Sequence, residues 1–179
     1  MKKYTEEDFK KFEVDEYGHT ICPSGDYTDI KQFPEGCSFG EGCSFGEWCS
    51  FGERCRFGEC CSFGEWCSFG EWCSFGEWCS FGEGCSFGVF CHFGESCRFG
   101  KHCKIENSKE FEEMIKFEGF GSENRCTYFF KLTDGKIYVR CGCFAGYIDE
   151  FRKKVKKTHG DNKFAKEYVA VADLAEMHF

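Results

Sequence analysis

From residue 37 to residue 102 the apolar and polar positions repeat every six residues without a break. Cysteine stands at 37, 43, 49, 55, 61, 67, 73, 79, 85, 91 and 97, phenylalanine two positions after each and glycine three positions after. The eleven hexads read Cys-Ser-Phe-Gly-Glu-x with few departures. A helix has no six-residue period, whereas side chains along a strand alternate between faces. Cys and Phe of one hexad therefore point to one side, and the Ser between them points to the other. Glycine is expected to form the corner, because it tolerates the left-handed backbone angles of a sharp turn. Each hexad is thus a three-residue strand and a turn, with Cys and Phe inside and Ser, Glu and the sixth residue outside. A short fixed period of this kind marks a solenoid, whose repeats bury their apolar faces only against neighbouring coils.

The flanks follow other patterns. Residues 1–36 read as an N-terminal cap: Thr5 and Asp8 can cap a short helix running through Phe9 and Phe12, and Pro23, Gly25 and Pro34 punctuate the entry to the array. Tyr27, Phe33 and Ile105 fall in the Phe register and extend the coil at both ends. The solenoid is assigned to residues 37–108 and a C-terminal module to 109–179. In that module Phe111, Met114 and Ile115 predict a short amphipathic helix. Cys126, Tyr128, Phe130 and Leu132 alternate up to an Asp134-Gly135 turn, and Ile137, Val139, Cys141 and Cys143 alternate away from it. Ile148, Phe151 and Val155, then Phe164, Tyr168, Val171, Ala172, Ala175 and Phe179, mark two further helices. The expected fold is mainly β, a solenoid with a cap and a small α-ββ-αα module.

The array resembles the left-handed parallel β-helix of hexapeptide-repeat proteins, whose motif places a small residue inside, a bulky apolar residue two positions later and a Gly, Asp or Asn directly after it. Here these are Cys37, Phe39 and Gly40, and so on through the array. The resemblance implies three sides and so three hexads per coil, or about 4 to 5 coils. Phenylalanine in place of Ile, Val or Leu leaves a wider coil as the alternative. With three hexads to a coil Trp48 lies over Trp66, Trp72 lies between Arg54 and Phe90, and Trp78 lies over Cys60. The combination of this array with Arg140-Cys141-Gly142-Cys143-Phe144 and the following helices is also similar to small phage and prophage proteins of gut bacteria, which implies an origin and no activity.

The chain has 179 residues with 17 Cys, 24 Phe and 22 Gly, and most of the excess belongs to the array. No apolar run approaches the ~20 residues of a membrane span, and the first residues lack a signal-peptide core. A soluble cytoplasmic protein is expected, with its cysteines reduced. The net charge of −8 argues against direct nucleic-acid or membrane binding. An invariant spacing of inward cysteines suits packing better than metal ligation, which favours paired Cys-x-x-Cys sets. Cys126, Cys141 and Cys143 raise a zinc site, but no histidine is placed beside them in the sequence; no metal or cofactor is expected. His92, His102 and His159 invite comparison with hexapeptide acyltransferases. No hexad is interrupted by the loop that builds such a site, so no catalytic residue is assigned. A broken serine column argues against ice binding. As a DNA mimic the array is weak: nine Glu against Arg54, Arg56, Arg98 and Lys101 give about one net charge per ~3.5 Å, half the density of duplex DNA.

The outward residues that break the repeat carry the functional expectation. Trp48, Trp66, Trp72, Trp78 and Phe90, with Glu47, Glu65, Glu71 and Glu77, form an acidic aromatic surface suited to a basic protein partner. Its bland counterpart is shielding of the corners by the same rings, or burial of the rings beneath the C-terminal module. A non-enzymatic interaction protein is the leading expectation, in the phage setting an inhibitor of a host nucleic-acid enzyme or defence protein. The alternatives are a small-molecule protein, either acyltransferase-like or a nucleotide sponge contacting phosphate through Arg54 and Arg56, and a self-assembling virion component. Lys153, Lys154, Lys156, Lys157 and Arg152 on one helix would allow a homo-oligomer.

Overall fold

The computed structural model describes residues 1–106 and 108–179. The chain divides into two compact units, Met1–Glu110 and Phe111–Phe179. Among the described residues no helix is long and apolar enough to cross a membrane.

The first unit is a parallel β-solenoid of about five coils with three sides. Ser44 pairs with Ser62 and Ser62 with Ser80, so each coil takes three hexads and each hexad makes one side. One side stacks Thr20–Cys22, Cys37–Phe39, Arg56–Phe57, Ser74–Phe75 and His92–Phe93. A second stacks Ser44–Phe45, Ser62–Phe63, Ser80–Phe81 and Arg98–Phe99. The third stacks Gln32–Phe33, Ser50–Phe51, Ser68–Phe69, Ser86–Phe87 and Lys104–Ile105. Three backbone N–H groups per hexad donate across layers, as in Ser62 N to Cys43 O at 2.8 Å, Gly64 N to Phe45 O at 3.0 Å and Trp48 N to Glu65 O at 2.9 Å.

Phenylalanine fits three sides because its rings build a lattice. Rings one full coil apart stack nearly parallel, as in Phe45 on Phe63 at 4.8 Å and 4° and Phe57 on Phe75 at 5.0 Å and 2°. Rings of successive hexads meet edge to face, as in Phe63 and Phe69 at 5.0 Å and 89°. Both are favoured aromatic geometries. The extended register holds as well: Tyr27 and Ile105 are fully buried, and Phe33 stacks on Phe51 at 4.7 Å. The array cysteines fill the gaps beside the rings as free thiols. From Cys61 onward each reaches a glycine carbonyl of the neighbouring coil, as in Cys67 Sγ to Gly46 O at 3.2 Å and Cys79 Sγ to Gly58 O at 3.4 Å.

The hexad glycine does not make the left-handed corner. That conformation belongs to the sixth position, where Trp48, Arg54, Cys60, Trp66, Trp72, Trp78, Phe90, Ser96 and His102 have φ between 56° and 61°. The fourth position needs glycine for a different reason: a Cβ on Gly58 would lie 2.6 Å from Glu41 N, and one on Gly76 would lie 2.7 Å from Glu59 N. Coils approach each other there too closely for any side chain.

At the N-terminal end, helix α1 (Glu6–Phe9) is closed by the expected capping box, with Thr5 N donating to Asp8 Oδ2 at 3.0 Å. Its surroundings seal the first coil with aromatic contacts: Tyr4 stacks on Tyr27 at 5.0 Å, and Phe9 meets Phe33 edge-on at 5.6 Å. Such a lid covers an otherwise open solenoid end.

In the second unit the segment expected to be helical is instead part of the strand Lys109–Phe117. It pairs antiparallel with Thr127–Leu132, which pairs with Ile137–Cys141, which pairs with Phe144–Tyr147. The expected hairpin is therefore the centre of a four-stranded antiparallel meander. A register shift between Phe111 and Glu113 marks a bulge. Across it Phe111 faces Leu132 and Met114 faces Phe130, so residues three apart share one face of a strand and imitate helical spacing. Helices α2 (Ile148–His159) and α3 (Lys163–His178) pack on the meander through Phe129, Val139, Phe151, Val155, Tyr168, Ala172 and Ala175. Gly160, at φ 60°, ends α2, and Asn162 Oδ1 accepts the Ala165 N–H at 3.0 Å to start α3.

Candidate functional site

With three hexads to the coil, the sixth positions fall into three corner columns. One carries Gly36, Arg54, Trp72 and Phe90, the next Gly42, Cys60, Trp78 and Ser96, and the third Trp48, Trp66, Gly84 and His102. Interlayer bonds fix this register: the N–H groups of Arg54, Trp72, Cys60 and Trp66 donate to the carbonyls of Glu71, Val89, Glu77 and Glu83 in the next coil. The tryptophans are exposed, Trp48 by 65%, Trp66 by 40%, Trp72 by 50% and Trp78 by 57%. Phe90 is half-buried.

Within columns the rings stack. Trp48 and Trp66 lie 5.6 Å apart at 14°, and Trp72 and Phe90 lie 4.3 Å apart at 20°. Trp66 continues over Gly84, where a Cβ would collide with its ring. The carboxylates Glu47, Glu65, Glu71 and Glu77 immediately precede the four tryptophans and are exposed. Each tryptophan corner thus sets an aromatic face next to a carboxylate, the pairing that attracts a lysine or arginine side chain through cation–π and ionic contacts together. The side between the Trp48–Trp66 and Trp72–Phe90 columns has a floor of small hydroxyl residues, Ser50, Ser68 and Ser86. The structure therefore gathers Trp48, Trp66, Trp72 and Phe90 along two edges of one side and leaves Trp78 on the third corner.

Arg54 and Arg56 are separated by the corner: Arg54 is a corner residue, whereas Arg56 points outward from the next side beside Ser74. The histidines do not assemble either. His92 lies on a side of the coil, His102 sits at a corner with Nδ1 2.8 Å from Glu110 Oε1, and His159 ends α2 in the other unit. Among the described residues, no group of three or more His, Cys, Asp or Glu side chains is placed to share a metal ion, and this includes Cys126, Cys141 and Cys143. Cys141 instead accepts a hydrogen bond from Thr127 Oγ1 at 3.1 Å, and burial raises its thiol. Burial likewise pushes the Cys126 thiol up to about 11.

Burial disfavours the thiolate at the array cysteines, while hydrogen bonds between neighbouring thiols divide them, lowering Cys55, Cys67 and Cys79 and raising Cys61 and Cys73. Hydrogen bonds to the Cys43 and Cys79 thiols, and then burial, push Cys61 far above the ordinary thiol range, and Cys73 is raised in the same way by Cys55, Cys91 and burial. This is the chemistry of a packed core, since nucleophiles and ligands require the thiolate.

Sequence reasoning missed a cavity of about 430 Å³ within the second unit, lined among others by Arg125, Cys143, Phe144, Lys154, His159 and Tyr168. Four separate segments build it, so no local motif announces it; Cys141, Cys143, Phe151, Lys154, His159 and Tyr168 stand out in the sequence only singly and for other roles. No protein-family model, curated protein or solved structure matches the chain.

Proposed function

We propose that the solenoid is a non-enzymatic binding surface for a basic protein partner, engaged through the acidic, tryptophan-bearing corners. The observation that carries this reading is the choice of residue at a strained position. A non-glycine residue in the left-handed conformation costs about 1 kcal/mol, and glycine occupies the same position without strain at Gly36, Gly42 and Gly84. The coil closes with glycine, so packing does not require tryptophan there. Exposed tryptophans beside carboxylates at four such positions fit selection for contact, tryptophan being the residue most enriched at binding hot spots. Resemblance to phage and prophage proteins makes a host nucleic-acid enzyme or a defence protein the first partner class to test.

The test is capture of basic proteins from a bacterial lysate by the immobilised chain and by a Trp66→Ala/Glu65→Lys variant. Capture that is lost at high salt and in the variant is the expected result. Identical proteins retained by parent and variant would remove these corners from the interface.

A further inference from the structure

The cavity of the second unit combines an apolar wall, a cationic rim and one of the two exposed thiols of the chain. Phe144, Phe151 and Tyr168 form the wall. Arg125, Lys154 and His159 face Glu123 as the only acid of the lining, and Glu123 accepts from Arg125 Nη2 at 3.0 Å. Lys154 is exposed and has no ion-pair partner among the described residues. Cys143 is exposed, on the tight turn that joins the strands Ile137–Cys141 and Phe144–Tyr147. Gly142 in that turn has φ 58°, and any Cβ on it would strike Arg125 Nη1. The glycine thus lets the guanidinium lie against the turn, within electrostatic reach of both Cys141 and Cys143.

We propose that this cavity binds small anionic disulfides and delivers them to Cys143, with Arg125 and Lys154 holding the carboxylates of the ligand. A volume of about 430 Å³ is in the range of small-molecule sites and accommodates a tripeptide-sized body such as one half of glutathione disulfide. In the exchange Cys143 loses its proton to water and its sulfur attacks one sulfur of the disulfide. A bond forms between Cys143 and that glutathione, the original S–S bond breaks, and the second glutathione departs as a thiolate that takes up a proton. Cys143 is oxidised by the same two electrons that reduce the departing half.

Cys60 serves as an internal control, because it is the other exposed thiol and sits on an acidic corner beside Glu59. The full-length protein is treated with glutathione disulfide, and mixed disulfides are quantified at each cysteine by peptide mass spectrometry. Cys143 is expected to react about tenfold faster than Cys60. Replacing the reagent by cystamine, a cationic disulfide, is expected to bring the two rates together or invert them, and Arg125→Ala/Lys154→Ala is expected to lower the glutathione preference severalfold. Equal rates with glutathione disulfide, or a preference unchanged by the charge of the reagent and by the double substitution, would overturn the assignment. This outcome is independent of the solenoid corners, since neither Arg125 nor Lys154 belongs to the array.

Discussion

Within each hexad the fourth and sixth positions make opposite demands on the backbone, and only one of them is met by the residue that sequence reasoning would choose. Glycine at the fourth position is an inter-coil spacer, so Gly76→Ala should cost about 2 to 3 kcal/mol by forcing a methyl against the backbone of Gly58 and Glu59. At the sixth position Ser96→Gly should leave stability unchanged or raise it by up to about 1 kcal/mol, relief of left-handed strain being partly offset by the freedom glycine gains in the unfolded chain. Denaturant midpoints of the two variants measure the contrast; equal losses would contradict this division of roles. The period itself revealed both positions as special, but a one-chain pattern cannot say whether a recurrent glycine answers a φ angle or a neighbour in the adjacent coil. The thiols were easier to read. With Cys60 and Cys143 the only exposed cysteines, a colorimetric thiol reagent should titrate two of the 17 rapidly in the native protein and the rest after unfolding.

At the scale of the element, the coil rather than the hexad is the unit of folding, because its three sides return the chain to register only at every third hexad. Deleting residues 55–72 removes one coil and keeps Cys, Phe and Gly in their columns, so the shortened chain should retain native-like circular dichroism with a modestly lower melting temperature. Deleting one and a half hexads instead places the sixth residue where Phe belongs and Gly where Cys belongs, and should prevent cooperative folding. Two of the buried thiols, Cys61 and Cys73, add a pH dependence with a definite sign. Cys61 and Cys73 have native pKa values raised above those of unfolded thiols, so their contribution is complete below about pH 8.5 and declines as pH rises above it. Each thiol that stays protonated in the native state should steepen the loss by about 1.4 kcal/mol per pH unit, and melts between neutral and alkaline pH would show it. The solenoid was legible because eleven copies average out every local ambiguity. The Lys109–Phe117 strand was misread because it occurs once, and its bulge puts Phe111 and Met114 on one face at helical spacing.

At the scale of the whole molecule, the outward array positions followed from the period alone, whereas the cavity around Cys143 depends on a tertiary arrangement that one sequence does not disclose. Charge placement bears on self-association in the same way. The sequence offers five basic residues on α2 to pair with the acidic array of a second copy. Arg152 is already bound to Asp173 at 2.5 Å and Glu176 at 2.6 Å, and Lys156 pairs with Asp161. Lys153, Lys154 and Lys157 remain. Exposed ion pairs contribute at most about 1 kcal/mol each, so three of them fall well short of the ~8 kcal/mol that micromolar association requires. Sedimentation velocity at micromolar concentration and physiological salt should therefore show a monomer. A dimer that dissolves in high salt and is lost in Lys153→Glu/Lys157→Glu would mean that the remaining lysines act with further contacts. One that survives high salt but disappears in Trp66→Ala would show that the aromatic corners meet each other, which would make a second copy, rather than a basic protein, the occupant of that surface.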